Sequence, residues 1–571
     1  MSEAETSTPL PDRRAFLGLF SGLGLGGTLF PGVLWSRVAE GAEITEEVIA
    51  CAAEIAGLEF DEAERKMMVQ SLRQQQRQME ELRRVSLPNS VPPALVFDPV
   101  PPGMEVPADA GRGVVALARA PAVHLPARPE ELAFLPVTAL SELVRRRRVT
   151  STQLTRTYLD RLRRHDPVLQ AVVTLTEDRA LRQAADADRE IARGRWRGPL
   201  HGIPWGAKDL LAVRGHPTTW GAAPFREQTI DEDATVVQRL DEAGAVLVAK
   251  LTLGALALGD VWFGGTTKNP WKPEQGSSGS SAGPGSAVAA GLVGFAIGSE
   301  TLGSISSPAT RNGATGLRPT FGRVPRSGAM ALSWTMDKLG PMCRSVEDCA
   351  LVLDAIRGPD GADPTARAAP FRYDARTRPA DLRIGYFREA FERDEKDYPT
   401  KRFDLATLDT LRALGATLVP VQLPEAPYGA MRLILVAEAA AAFDELTRSG
   451  RDDELTQQGP NAWPNTFRAA RFIPAVEYIN ANRVRTLAMQ AWAELFSGVD
   501  VVVAPTSGTQ LVATNLTGHP AVILPNGFRE DGTPVSITFL GGLFEEGTLL
   551  AVASAYQRAT DFHLRRPPGF A

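Results

Sequence analysis

The stretch Gly276-Ser277-Ser278-Gly279-Ser280-Ser281-Ala282-Gly283-Pro284-Gly285-Ser286 gathers small hydroxyl residues and glycines at a density that no ordinary connection needs. Glycine lets backbone approach backbone, or a ligand, closely. A small-residue helix is expected next, over residues 287–293, and then a short buried strand over residues 295–298. Directly after that strand runs Ser299-Glu300-Thr301-Leu302-Gly303-Ser304-Ile305-Ser306. A serine at the end of such a turn presents its hydroxyl among free backbone N–H groups, and those groups hold a developing oxyanion. The chemistry is attack by a serine hydroxyl on a carbonyl. A flexible Gly/Ser linker has a similar composition. This segment, however, is flanked at once by helix and strand patterns and runs on through residues 310–319 with no return to low complexity.

A second nucleophile competes. Gly279-Ser280-Ser281-Ala282-Gly283 fits the G-x-S-x-G elbow, which makes Ser281 the attacking residue. That elbow must follow a strand. The preceding residues 268–275 hold two prolines and no apolar run, so the match reads as chance in a glycine- and serine-rich loop.

The elements that must position these residues begin at Val137, where helical patterns alternate with short apolar runs. Helices are expected over residues 151–165, 234–243, 346–356 and 405–414, and strands over residues 245–248, 382–386, 417–420 and 499–504. Such alternation predicts an α/β layer fold, with helices covering a central sheet. Upstream, residues 43–85 read as a helical N-terminal extension. Asp61-Glu62-Ala63-Glu64 is a capping box, and Met68, Leu72, Met79 and Leu82 follow at helical spacing. Residues 86–136 carry eleven prolines, which exclude continuous helix and central strand and predict an extended segment over the main body, or a linker.

Bulk properties remove several function classes. A net charge of -5 leaves no nucleic-acid footprint. The basic run Arg145 to Arg148 reads as a solvated helix end. The six histidines are scattered, no His/Cys/carboxylate spacing resembles a metal site, and no cofactor is implied. Cys51, Cys343 and Cys349 make no disulfide framework, and the last two read as small buried thiols.

The first 42 residues read as an address. Arg13-Arg14 stands before residues 16–36, which carry no charge and are interrupted by six glycines and Pro31. That composition makes a poor membrane span. It is similar to a twin-arginine export signal, which predicts a periplasmic or extracellular protein, or a membrane-anchored one if the segment is not cleaved.

Residues 279–319 resemble the signature segment of the amidase signature family. Gly202-Ile203-Pro204-Trp205-Gly206-Ala207-Lys208-Asp209 resembles the family's lysine motif. Thr218-Thr219-Trp220-Gly221, Leu339-Gly340-Pro341-Met342 and Asn515-Leu516-Thr517-Gly518 follow in the family's order. The resemblance covers residues 137–571. It implies a central mixed, twisted sheet covered by helices, and a Ser-Ser-Lys triad with Lys208 as base, Ser280 as bridging hydroxyl and Ser304 as nucleophile. The oxyanion donors it implies are the backbone N–H groups of Thr301, Leu302, Gly303 and Ser304.

A lysine acts as a base only when neutral. Its ordinary pKa of about 10.4 must fall toward neutrality, which burial against an apolar wall brings about. Trp205 and the Ile203-Pro204 pair are close in sequence. The bland role for Lys208 is an ion pair with a carboxylate such as Asp209. Trp205, Trp334, Met336 and Asp337 are candidate pocket residues, with core packing the competing role. Four residues depart from the family pattern and bear on turnover rate and substrate class, Leu302 by restricting the turn and narrowing the acyl pocket. Leu302 stands where glycine is common, Ser306 replaces a common arginine, and Ala282 and Pro284 alter the serine-glycine loop.

The resemblance implies hydrolysis of a small-molecule or peptide carboxamide to a carboxylate and ammonia or an amine. Two alternatives are an amidotransferase A-subunit role, passing ammonia to a partner, and a binding protein that has lost turnover. Neither the substrate nor the oligomeric state is written in the sequence.

Overall fold

The computed structural model describes residues 44–82, 84–85, 87–107, 113–118, 124–394, 396 and 398–570. The twin-arginine-type segment lies outside the described residues. The chain falls into two compact units, one formed by residues up to Pro88 with Arg468–Glu477, the other by Asn89–Phe467 and Tyr478–Ala571.

In the smaller unit, helix α1 (Glu46–Ala56) starts where the Thr45 hydroxyl accepts the Val48 N–H and stops at Gly57, whose φ is +68°. Helix α2 (Glu62–Leu82) starts on a reciprocal cap. The Asp61 carboxylate accepts the Glu64 N–H at 2.8 Å, and the Asp61 N–H donates to the Glu64 carboxylate at 2.7 Å. Ile44 and Ile49 are buried against Met68, Val69 and Leu72.

The larger unit is built on one mixed sheet of eleven strands. In chain order these are β1 (Val172–Leu175), β2 (Pro204–Lys208), β3 (Val246–Leu251), β4 (Phe295–Glu300), β5 (Thr315–Arg318), β6 (Lys338–Cys343), β7 (Arg383–Phe387), β8 (Thr417–Val421), β9 (Val501–Pro505), β10 (Ala521–Phe528) and β11 (Pro534–Gly541). Across the sheet they run β8-β7-β9-β11-β10-β5-β6-β4-β2-β3-β1. β2 lies parallel to both β3 and β4, and the β6 to β11 stretch is largely antiparallel. Several interior strands are buried along their whole length, and one of them, Val501-Val502-Val503-Ala504, accordingly reads as an unbroken apolar run.

The helices that matter for the site are α3 (Ser151–Leu169), α4 (Ala282–Ala289), α5 (Ser306–Asn312), α6 (Val346–Ile356), α7 (Leu433–Ala442), α8 (Ala475–Gly498) and α9 (Thr509–Thr517). α3 begins on a second reciprocal cap, Thr150 with Gln153, and continues through Pro167, four residues past its expected end. The small-residue helix expected over residues 287–293 is displaced toward the N-terminus, as α4. Gly291, at φ +65°, reverses the chain and ends it, so the helical turns are drawn from the glycine-serine loop itself. Gly283 permits this, because a Cβ there meets the Thr252 N at 2.5 Å.

Cys343 and Cys349 are buried free thiols. The Arg145 to Arg148 run closes a helix, and Arg145 and Arg146 reach back to Glu142. In the proline-rich stretch, Val114–Ala116 pairs in parallel with Arg372–Asp374. Asn89 clasps Ala331 through both backbone groups at 2.8 Å. Among the described residues no helix is long and apolar enough to cross a membrane.

Candidate active site

Lys208 is the last residue of β2, a strand buried along its whole length. Ala207 lies opposite Ile297 on β4, which sets Lys208 level with Gly298 at the C-terminal end of the two strands, and the Lys208 side chain reaches the hydroxyl of the following residue, Ser299. Below them Trp205 stacks on Phe295, with ring centroids 6.0 Å apart. Trp205 is therefore core rather than pocket wall.

The Lys208 Nζ is fully buried and faces three hydroxyls: Ser280 Oγ at 2.8 Å, Ser281 Oγ at 3.0 Å and Ser299 Oγ at 2.8 Å. Among the described residues no carboxylate is within ion-pairing distance of it. Asp209 instead pairs with Lys250, 2.7 Å away, and its second oxygen accepts the Thr219 N–H at 2.9 Å. Burial therefore pushes the Lys208 ammonium well below the ordinary lysine value, against a smaller upward pull from Asp337 and Glu300.

The serine loop reaches this amine by close backbone approach. Gly279 precedes Ser280 across a cis peptide bond, and a Cβ at Gly279 falls 1.8 Å from the Gly259 carbonyl oxygen. Only glycine fits there. Ser278 sits at φ +60° and is held by its N–H, which donates to the Asp260 carboxylate at 2.8 Å.

Ser281 is committed. Its hydroxyl accepts the Ser299 N–H and donates to the Ser299 carbonyl, both at 3.1 Å. Its own N–H donates to the Ser304 carbonyl at 3.0 Å. A short strand, Lys272–Gly276, does precede it, contrary to the reading of that stretch as strandless. The strand belongs to a two-stranded hairpin with Lys268–Asn269 and not to the central sheet. Ser281 is wholly buried, with no hydroxyl free to attack.

Ser304 stands at the junction of β4 and α5, slightly more exposed than Ser280, and its hydroxyl makes no hydrogen bond among the described residues. Around it the backbone is arranged unevenly. Among the described residues, the N–H groups of Thr301, Leu302, Gly303 and Ser304 donate to nothing. The next two are taken: Ile305 and Ser306 both donate to one oxygen of Glu300, at 2.9 and 2.8 Å, and the Ser306 hydroxyl joins them at 2.8 Å. The other Glu300 oxygen pairs with Arg318 at 2.7 Å and accepts from Asn515 at 2.8 Å. Burial raises the Glu300 pKa, but Arg318, Asn515 and the Ser306 N–H outweigh it and hold the carboxyl at about 2. Of these four residues Gly303 needs the left-handed region, at φ +90°. Leu302 does not, and its side chain packs against the main core.

Asp337, named from sequence as a pocket candidate, is a strut. It accepts the Thr301 hydroxyl at 2.5 Å and the Leu332 and Ser333 N–H groups at 2.8 and 2.9 Å. Met336 is core, and Trp334 is half-buried with its carbonyl taken by Arg326. Sequence reasoning missed Ser299, Glu300 and the structural duty of Ser281. All three depend on contacts between segments apart in the sequence, which leave no motif behind.

A family model described as Amidase matches residues 153–550. The chain belongs to the amidase family. It is 34% identical to the A-subunit of the glutamyl-tRNA(Gln) amidotransferase of Thermosynechococcus vestitus over 75% of this chain and 98% of that one. The protein of the same name from Chloroflexus aurantiacus is 35% identical over 76% of this chain and 99% of its own. Among solved structures, the native peptide amidase from Stenotrophomonas maltophilia superposes with a TM-score of 0.67 at 33% identity, covering 77% of this chain and all of that one. The amidase fold, an α/β architecture with a mixed central sheet covered by helices, is thus shared with these amidase-family enzymes.

Proposed function

We propose that this amidase-family chain cleaves a carboxamide C–N bond through an acyl-enzyme on Ser304. The observation that carries the reading is the Lys208 amine, buried without a carboxylate partner and ringed by Ser280, Ser281 and Ser299. A neutral amine has two N–H groups and one lone pair. The Ser281 hydroxyl proton goes to the Ser299 carbonyl, so Ser281 accepts from Lys208, and the lone pair is left for another hydroxyl. Ser280 passes its proton to Lys208 and takes the Ser304 proton in turn. The Ser304 oxygen then attacks the amide carbon, and the carbonyl oxygen becomes an oxyanion facing the N–H groups of residues 301–304. Collapse breaks the C–N bond. The leaving nitrogen takes the proton back from Lys208 through Ser280, and water releases the acyl group by the same route.

The fate of the nitrogen divides two readings. In the first it leaves as ammonia or an amine into solution, as the relative named a peptide amidase suggests. In the second, ammonia passes to a partner protein. The curated relatives, named as amidotransferase A-subunits and matched along nearly their whole length, favour this second reading. We further propose export by the twin-arginine-type segment, which bears against a cytosolic tRNA-dependent role. Fractionation of cells carrying wild type and Arg13→Lys/Arg14→Lys tests it: retention of both proteins in the cytosol rules export out.

The deciding experiment is ammonia release by the purified chain across aliphatic, aromatic and peptide amides, with and without a fluorophosphonate probe. Wild type is expected to turn over alone and to be labelled at Ser304, with Ser304→Ala reducing turnover by at least about 10⁴-fold. Full activity in Ser304→Ala assigns the wrong nucleophile. Probe labelling without ammonia release in the isolated chain favours the partner-dependent reading.

A further inference from the structure

Three donor-acceptor layers separate helix α7 from the backbone beside Ser304, and they form one connected path. Glu438 on α7 is buried. It accepts the Ser333 hydroxyl at 2.6 Å, the Thr335 N–H at 3.1 Å, the Thr335 hydroxyl at 2.8 Å and the Tyr478 hydroxyl at 2.8 Å. Every one of these donors is neutral. Arg485 on α8 approaches the same place without touching Glu438. It donates to the Thr335 hydroxyl at 2.9 Å and to the Thr335 carbonyl at 2.8 Å. The turn so gripped, residues 332–337, ends in Asp337, whose two oxygens hold the turn's own N–H groups and the Thr301 hydroxyl.

A carboxylate removed from water, with no cation in direct contact, is costly unless its hydrogen bonds are well formed. Glu438 meets that condition by fixing one turn from three directions. The turn in turn fixes Thr301, the first residue of the run, 301–304, whose N–H groups have no acceptor among the described residues. Oxyanion stabilisation needs donors already in place when charge develops, since reorganisation at that moment weakens the field.

We propose that Glu438 is a positioning residue for the oxyanion site, acting through Ser333 and Thr335 on Asp337 and so on Thr301. This rests on the reading of Ser304 as nucleophile with residues 301–304 as oxyanion donors. Substrate binding precedes charge development, so the loss of Glu438 is expected in kcat and not in KM.

The test is a double-mutant cycle on the full chain with Glu438→Ala and Thr301→Val, reading kcat, KM and the rate of fluorophosphonate labelling, with thermal melting to confirm folding. Thr301→Val removes the hydroxyl and keeps both the N–H and the side-chain volume. Each single variant is expected to lose about 10- to 100-fold in kcat with KM within about threefold, and the double variant to lose little more than the worse single. Strictly additive losses, or an unchanged kcat in folded Glu438→Ala, overturn the proposal. Should Glu438→Ala not fold, Thr301→Val alone decides: an unchanged kcat there overturns the proposal as well. Wild type that neither labels nor turns over defeats the nucleophile reading itself, and the two failures are thereby distinguishable.

Discussion

Asp209 forms its ion pair with Lys250, 2.7 Å away and equally buried, and not with Lys208, its neighbour in the chain. Two buried lysines on adjacent strands thus have opposite surroundings. Lys250 is neutralised by a carboxylate and also donates to Thr218, while Lys208 is left among hydroxyls. Asp209→Asn strands the Lys250 charge, and breaking a buried pair from one side costs about 3–5 kcal/mol. Urea unfolding of that variant is expected to show such a loss, and a wild-type midpoint refutes the pairing.

The second prediction concerns pH. If neutral Lys208 is the base, kcat/KM rises as pH climbs through its depressed pKa and then levels off. A rate that climbs only near the ordinary value of 10.5 means an unperturbed amine. Stability moves with it. Between the depressed pKa and 10.5 the unfolded chain binds more protons at this site than the folded chain, so the site's contribution to stability rises with pH. Relative to Lys208→Met, wild type is therefore expected to gain stability as pH rises through that window.

Glu300 makes a prediction of the same sign in an acidic window. Its carboxyl is held at about 2 from an ordinary 4.5. A depressed carboxyl contributes stability above its unfolded value and loses it as pH falls through the folded one. The difference corresponds to roughly 3 kcal/mol. Glu300→Gln is expected to melt well below wild type at neutral pH, with the gap closing as pH falls from 4.5 toward about 2. A constant gap across that range removes the titration from the account.

A fourth prediction separates the two neighbours on the oxyanion run. Gly303→Ala places a side chain at φ +90°, and although nothing lies closer to its Cβ than 3.5 Å, the backbone itself resists. The N–H groups tilt, and kcat is expected to fall about tenfold or more. Leu302→Ala keeps its N–H in place and removes packing instead, so a stability loss of about 2 kcal/mol with kcat within about threefold is expected. The reverse ranking, measured by steady-state kinetics and melting, returns Leu302 to the role that its departure from the family pattern suggested.

The sequence conveyed the site in parts. Lys208, Ser280 and Ser304 each lie in a local motif, and the structure sets the first two 2.8 Å apart; helices such as α6 were legible from apolar spacing and their caps. The part played by Ser299 was not legible, because its place beside Lys208 is a side-chain contact between neighbouring strands, a relation between residues ninety-one apart. The shift of α4 into the glycine-serine loop escaped for a related reason. The loop's glycines signalled a turn, while in the fold Gly283 serves close packing and Gly291 ends the helix. Leu302 drew attention as a departure, yet the position that needs glycine is the following one.

The carboxylate of Glu300 sits like a stopper in the mouth of α5. The positive pole of that short helix is answered from within the protein, and the backbone amides left without an acceptor among the described residues are those of residues 301–304, just upstream of it.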